Sequence, residues 1–106
     1  MLTQQGAETV ANALKNEVSK LQVEISDGTV LTQNATVTDV SVSYDDNTAY
    51  FDASAVFDFT DYQSYSMQKY KLLDASDNAL IETSCNVSLQ NKTTEEVVVR
   101  VKIAFS

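Results

Sequence analysis

The chain contains no histidine, no tryptophan, no proline and a single cysteine. Without histidine, Cys85 has no imidazole to activate it as a nucleophile. One cysteine also excludes an intrachain disulfide and a cysteine-based zinc site. Long apolar runs are missing too: the longest unbroken aliphatic stretch, Val97 to Val99, is far too short to span a membrane. The first residues lack the basic start and apolar core of a secretory signal, so the expectation is synthesis in the cytoplasm without membrane association. Basic clusters are equally scarce. Fifteen acidic against seven basic residues give a net charge of -8, and the closest basic pairs are Lys69 with Lys71 and Arg100 with Lys102. That balance repels nucleic-acid backbones, promotes solubility and matches a neutral or basic neighbour.

What is present is ordinary globular material. A chain of 106 residues, 43% hydrophobic and 21% charged, builds one modest core and is read as one domain over residues 1–106. Residues 1–20 are predicted to form an N-terminal amphipathic helix beginning near Thr3, its N-cap. Ala7, Val10, Ala11, Leu14 and Val18 recur at helical spacing, and Lys15 and Lys20 suit the negative end of the dipole. The stripe is narrow and made of small residues, which fits a helix laid against a sheet or against copies of itself.

From Leu21 onward the period changes to two, the pattern of antiparallel strands that bury one face. Leu21, Val23 and Ile25 alternate with polar residues up to Asp27-Gly28, a hairpin signal, and Thr29 to Leu31 begin the return strand. Thr32 to Asn34 read as a loop. Ala35 and Val37 share one parity but Val40, Val42 and Tyr44 share the other, which predicts a β-bulge or sheet-switching bend near Thr38-Asp39. Phe51, Ala53, Ala55, Phe57 and Phe59 form the cleanest inward face, with two small residues at its middle that leave room for a facing helix or bulky neighbours. Asp61 to Ser66 read as an exposed loop. Strands follow over Met67 to Leu73, Leu80 to Leu89 and Glu95 to Phe105, the last with Val97, Val99, Val101, Ile103 and Phe105 pointing one way. The fold class is thus α+β, mainly β: an antiparallel β-sandwich of about seven strands over residues 21–106 with one N-terminal helix.

Candidate chemistry is thin. Asp74, Ser76 and Asn78 alternate like the first ligands of a calcium loop, but Ala79 stands where the sharp-turn glycine belongs and Cys85 where the bidentate glutamate belongs, so a β-turn is the better reading. Asp45, Asp46, Asp52, Asp58 and Asp61 could be read as an acid/base group. Asp52 and Asp58 lie on the outward parity of a strand, where solvated charges discourage aggregation. Three Asn-x-Ser/Thr triplets, at Asn34, Asn86 and Asn91, have the chance frequency of an Asn/Thr-rich β protein. No catalytic residue, cofactor or metal is expected. Cys85 shares parity with Ile81, Thr83, Val87 and Leu89 and reads as a buried thiol. The run Val97-Val98-Val99-Arg100-Val101 is apolar on both faces at its start. It is therefore expected to be central in its sheet or covered on both sides, because at an edge it invites pairing with a partner subunit.

Two stretches carry a resemblance. Met1-Leu2-Thr3-Gln4-Gln5-Gly6-Ala7, continuing through Val10-Ala11 to Leu14, and Tyr70-Lys71-Leu72-Leu73-Asp74-Ala75-Ser76-Asp77-Asn78-Ala79-Leu80-Ile81 are similar to the opening domain of structural proteins of tailed bacteriophages. That domain type occurs in tail fibres, baseplates and other virion appendages. The second stretch departs from the family turn, "Asp-Ala-x-Gly-Asn-x-Leu", in lacking its glycine, and no shaft or receptor-binding region follows Phe105. The resemblance implies a non-enzymatic virion subunit, a connector, adaptor, tail or baseplate part or capsid decoration protein. Such a subunit would be made in the host cytoplasm, would contact other virion proteins and would form a homo-oligomer, with neither nucleic acid nor membrane as partner. The contact residues expected are Leu2, Val10 and Leu14 on the helix, Tyr62 and Tyr65 in the polar loop, where rings suit a protein surface, and Val98 on the second face of the last strand. The alternative is a carbohydrate- or host-surface-binding β-sandwich module using Tyr62 and Tyr65. A small enzyme working with carboxylates alone is a further rival that the aspartate spacing does not recommend.

Overall fold

The computed structural model describes residues Met1–Ser106. It contains one helix, α1 (Gln4–Glu17), and eight strands: β1 (Lys20–Ile25), β2 (Val30–Asn34), β3 (Thr36–Val37), β4 (Ser41–Ser43), β5 (Thr48–Asp58), β6 (Ser66–Leu73), β7 (Ala79–Ser88) and β8 (Thr94–Ala104). A short 3-10 turn, Thr60–Tyr62, follows β5. The strands form two antiparallel sheets. One has the order β2-β1-β6-β7; in the other, β5 pairs with β8 along one edge and with β3 and β4 along the other. The architecture is the expected α+β sandwich, mainly β, with its single helix at the N-terminus.

Strand β5 organises the core. Its odd-numbered residues Ala49, Phe51, Ala53, Ala55 and Phe57 are buried, while Tyr50, Asp52 and Ser54 are half-buried and Val56 and Asp58 exposed. The facing layer changes along its length. Helix α1 packs on β5 and β8 through the fully buried Ala7 and Ala11. The Ser106 N–H donates to the Leu2 carbonyl at 3.0 Å and the Ala35 N–H to the Ser19 carbonyl at 2.9 Å, so the helix lies over the first half of β5. The buried alanines of α1 and of β5 carry little bulk, which lets helix and sheet approach closely. Beyond the helix, Leu21, Val23, Ile25, Met67 and Leu72 of the other sheet complete the core around Phe57 and Phe59, which stack at 5.9 Å between ring centroids.

Local signals place the ends of the elements. The Thr3 Oγ1 accepts from the Gly6 N–H at 3.0 Å, as predicted for an N-cap. Asp27-Gly28 closes the β1–β2 hairpin with Gly28 at φ 93°. Other left-handed turn positions are held by Asn47, Asp77 and Asn91, residues that tolerate that conformation by bonding locally. Asp77 is the left-handed residue of the Asp74–Asn78 turn. There Asp74 Oδ1 accepts from the Ser76 and Asn78 N–H groups at 2.9 Å, so the hydrogen bonds are those of a turn.

The phase slip near Thr38 is a bulge. Val37 opposes Ala53 but Ser41 opposes Tyr50, so four steps on one strand match three on β5. The chain changes sheets earlier, at Ala35, because β2 pairs with β1 whereas β3 and β4 both pair with β5. The bulge splits one predicted strand into β3 and β4, which makes eight strands of seven.

Several expectations need correction. Thr32 to Asn34 are strand, not loop: β2 is an edge strand with little burial, so polar residues cost it nothing, and Gln22 Nε2 donates to Thr32 Oγ1 at 3.0 Å. Tyr62 packs against the core instead of standing in an exposed loop. Val10 lies 41% exposed, outside the buried stripe of Ala7 and Ala11. Strand β8 is an edge strand with its second face open, neither central nor covered on both sides.

Phe51 has no exposed surface and sits where helix and sheet both press on β5. Phe51→Ala is expected to lower unfolding free energy by about 3–5 kcal/mol. Val56→Ala on the open face should change it by no more than about 0.5 kcal/mol, both read from urea denaturation midpoints.

Candidate functional site

A sandwich of two open sheets has four free edges, and an unpaired edge is a template for another strand. Three of them are poor templates here. Strand β2 is short, with polar Thr32-Gln33-Asn34 at its end. The β3/β4 edge is interrupted by the bulge. Strand β7 is long, but its register with β6 shifts between Met67 and Lys69 and again between Leu72 and Leu73. Strand β8 is different: it runs for 11 residues with unbroken register against β5.

The backbone shows which groups that edge offers. Asp52 uses its own peptide groups toward β3, because the Thr38 N–H donates to the Asp52 carbonyl and the Asp52 N–H to Thr38 Oγ1, each at 2.9 Å. Its partner across the other edge is Arg100, so Asp52 and Arg100 form a non-hydrogen-bonded pair and the Arg100 N–H and C=O point away from β5. The odd positions do the reverse: Phe105 N–H donates to Asn47 and Phe59 N–H to Thr93, both within the sheet. Thr94, Glu96, Val98, Arg100, Lys102 and Ala104 therefore turn both their peptide groups to the free edge.

The same residues place their side chains on the open face of the sheet. Val98 is 53% exposed, with the exposed Val56 on the neighbouring strand. Arg100 donates from Nε to Asp52 Oδ1 at 2.9 Å and from a terminal guanidinium nitrogen to Asp52 Oδ2 at 3.0 Å, and its guanidinium lies 4.2 Å from the centre of the Tyr50 ring. The Arg100 hydrogen bonds hold the Asp52 carboxyl below the usual range, and the same bonds raise Arg100. Lys102 Nζ donates to Asp46 Oδ2 at 3.1 Å. Hydrogen bonds from Ser43, Lys102 and Thr48 hold Asp46 at about 2, well below the ordinary 3.8. Glu95 and Glu96, by contrast, have no ion-pair partner within the chain.

The end of the β7/β8 side opens into a shallow pocket of about 220 Å³. Phe59, Met67, Val87, Leu89 and Val97 line it, with Lys92, Glu95 and Glu96 also on its wall. Cys85 is half-buried nearby on β7, its Sγ 3.6 Å from the Met67 carbonyl, and burial pushes its thiol upward.

The expected contact residues do not form one patch. Leu2 is at the end of β8, next to Ser106, and Val10 is on the outer side of α1. Leu14 is half-buried against the core. Tyr62 and Tyr65 share the turn after β5, which Gln63 Nε2 ties to the Lys92 carbonyl at the start of β8. Tyr65 is exposed. Val98 sits between these two ends, on a strand roughly 35 Å long. What sequence reading missed is the set of charges beside Val98, the Asp52-bound Arg100 and the unpartnered Glu96, because sequence alone does not show that β8 is an edge.

No family model, curated protein or solved structure matches this chain.

The depressed Asp46 couples stability to pH. Its carboxylate is favoured in the folded state, so the stabilisation is complete above the ordinary value of 3.8 and is lost as pH falls through that value toward about 2. The melting temperature of Asp46→Asn is expected to lie below that of the natural chain near neutral pH. That gap should close as thermal melts are repeated between about pH 5 and 2.

Proposed function

We propose that this chain is a non-enzymatic structural subunit of a bacteriophage virion, a connector, adaptor, tail or baseplate part or decoration protein, that works by docking its sheet edges and helix onto neighbouring subunits. The observation that carries this reading is the free edge of β8: 11 residues, no register shift, and Val98 exposed beside it. Backbone pairing along such an edge fixes the geometry of a contact, and apolar contact beside it contributes free energy. The phage setting rests on the resemblance of the N-terminal segment and of the Tyr70–Ile81 strand and turn. The turn geometry is compatible with it, since Asp77 adopts the left-handed conformation for which the family uses glycine. The helix start is compatible as well, with Thr3 capping and Leu2 tied to Ser106.

The carbohydrate-binding alternative has less support. Sugar stacking needs open ring faces, and of the two loop tyrosines Tyr62 packs against the core.

Quantitative mass spectrometry of density-banded particles from the source culture tests the reading. The expected result is this chain at a fixed ratio to the major shell protein, few copies marking a tail or vertex part and hundreds a shell decoration. Absence from the particles would remove the virion assignment.

A further inference from the structure

The four free edges of the sandwich differ in how they discourage pairing, and β8 lacks the usual devices. It contains no proline and no bulge and is not short. Its only protection is charge, and the charge is divided. Glu95 and Glu96 lie in the first half, Arg100 and Lys102 in the second. A strand charged with one sign throughout repels every copy of itself. One with acids at one end and bases at the other repels a parallel copy and attracts an antiparallel one.

We infer that β8 pairs antiparallel with β8 of a second copy of this chain, about a twofold axis through Val98, joining the two β5-containing sheets into one. This rests on reading the chain as an assembly subunit and names the partner of that edge. The even-numbered residues carry the free peptide groups, so an allowed register must oppose even residues with even ones. With the axis at Val98, Val98 faces its own copy, Glu96 faces the second copy's Arg100 twice over, and Thr94 faces Lys102. An axis at Glu96 or at Arg100 would instead bring like charges together at the centre, one at Val97 would leave Glu96 facing Val98 and Arg100 facing Thr94, and one at Val99 would set Glu96 against Lys102 but Arg100 against Val98; the axis at Val98 pairs Glu96 with Arg100 and valine with valine. Glu96 has no partner within the chain, and Arg100, held flat by Asp52 and Tyr50, still has guanidinium N–H donors to give. The net charge of -8 opposes association at long range, but screening confines that repulsion to about 8 Å at physiological salt, whereas the strand-to-strand pairs are in contact. The pairing is isologous and uses each β8 edge once, so it closes at two copies.

Sedimentation velocity at about 0.15 M salt, over a concentration series up to about 1 mM, tests the pairing. The expected species is a dimer of the 11.6 kDa chain. Val98→Lys, at an exposed site that leaves the core untouched, should weaken it by about tenfold or more, as should Glu96→Arg, which sets two cations face to face. Arg100→Glu alone should also be monomeric. Mixed with Glu96→Arg it should restore a dimer, because each copy then supplies the charge that the other lacks at both crossings. Circular dichroism and thermal melts establish that each variant is folded. A natural chain monomeric to about 1 mM, a dimer that survives both Val98→Lys and Glu96→Arg, or a mixture of folded variants that stays monomeric would overturn the proposal. A chain monomeric alone yet present at fixed ratio in purified particles would remove the self-pairing and leave the subunit assignment standing.

Discussion

The structure depends on the two-residue period of β5. That strand is paired on both edges and buried on one face from Ala49 to Phe57, and each other part of the core is arranged around it. A single helix is too short to cover a strand of 11 residues and its neighbour, so two different elements share the task. Helix α1 covers β5 through its buried Ala7 and Ala11, and the larger Phe57 and Phe59 share the core with the apolar residues of the second sheet. Shifting β5 by one residue would place Asp52 and Asp58 inside and the phenylalanines in water. The uninterrupted register with β8 and the bulge opposite it are both consequences: one neighbour follows the period of β5, and the other slips by a residue to regain it.

Much of this was legible in the chain, because burial on one face writes itself into alternation. The inward set of β5, the N-cap at Thr3, the Asp27-Gly28 hairpin and the break near Thr38 follow from side-chain chemistry within a few residues. What was not legible depends on sheet order. Alternation at Val97 to Phe105 is the same whether β8 is central or at an edge, and the exposed second face is decided by which strands lie beside it. The polar Thr32-Gln33-Asn34 segment failed as a loop for the same reason, since an edge strand buries too little to need an apolar pattern. Val10 satisfies helical spacing, yet the helix needs only the Ala7–Ala11 line to touch β5, so the next position outward faces water. Asp52 and Arg100 stand 48 residues apart, and no local rule links them.

The scarcity of glycine and proline shapes the surface as much as the core. With two glycines in the chain, most left-handed turn positions fall to Asn47, Asp77 and Asn91, whose side chains also carry polarity to the loop tips. With no proline, no edge is protected by a missing donor. Protection falls to bulges, short strands and charge. Bulges guard the β3/β4 and β7 edges, and a short polar strand guards β2. On the outer face of the β1-β6-β7 sheet, Lys69 bridges Glu24 and Glu82, a cross-strand network that satisfies those charges internally. On β8 only the bases are satisfied in this way, by Asp52 and Asp46; the acids are left over.

That asymmetry distinguishes a blunted edge from a selective one. If Glu95 and Glu96 served only to keep β8 soluble, they would do so best where nothing basic could meet them. Instead Glu96 shares the open face of the strand with Arg100, at a spacing that an antiparallel copy turns into complementarity. A pairing of that kind discriminates as well as binds: in-register parallel alignment and antiparallel axes at Glu96 or Arg100 place like charges together, so the charges that invite one geometry reject those others. The remaining edges, short or bulged, supply no second unbroken template, so in the proposed pairing association through β8 stops at a closed pair and does not run on into a fibre. In the proposed pairing, a self-limiting contact of defined geometry comes from Glu96 and Arg100 set on either side of one exposed valine, Val98.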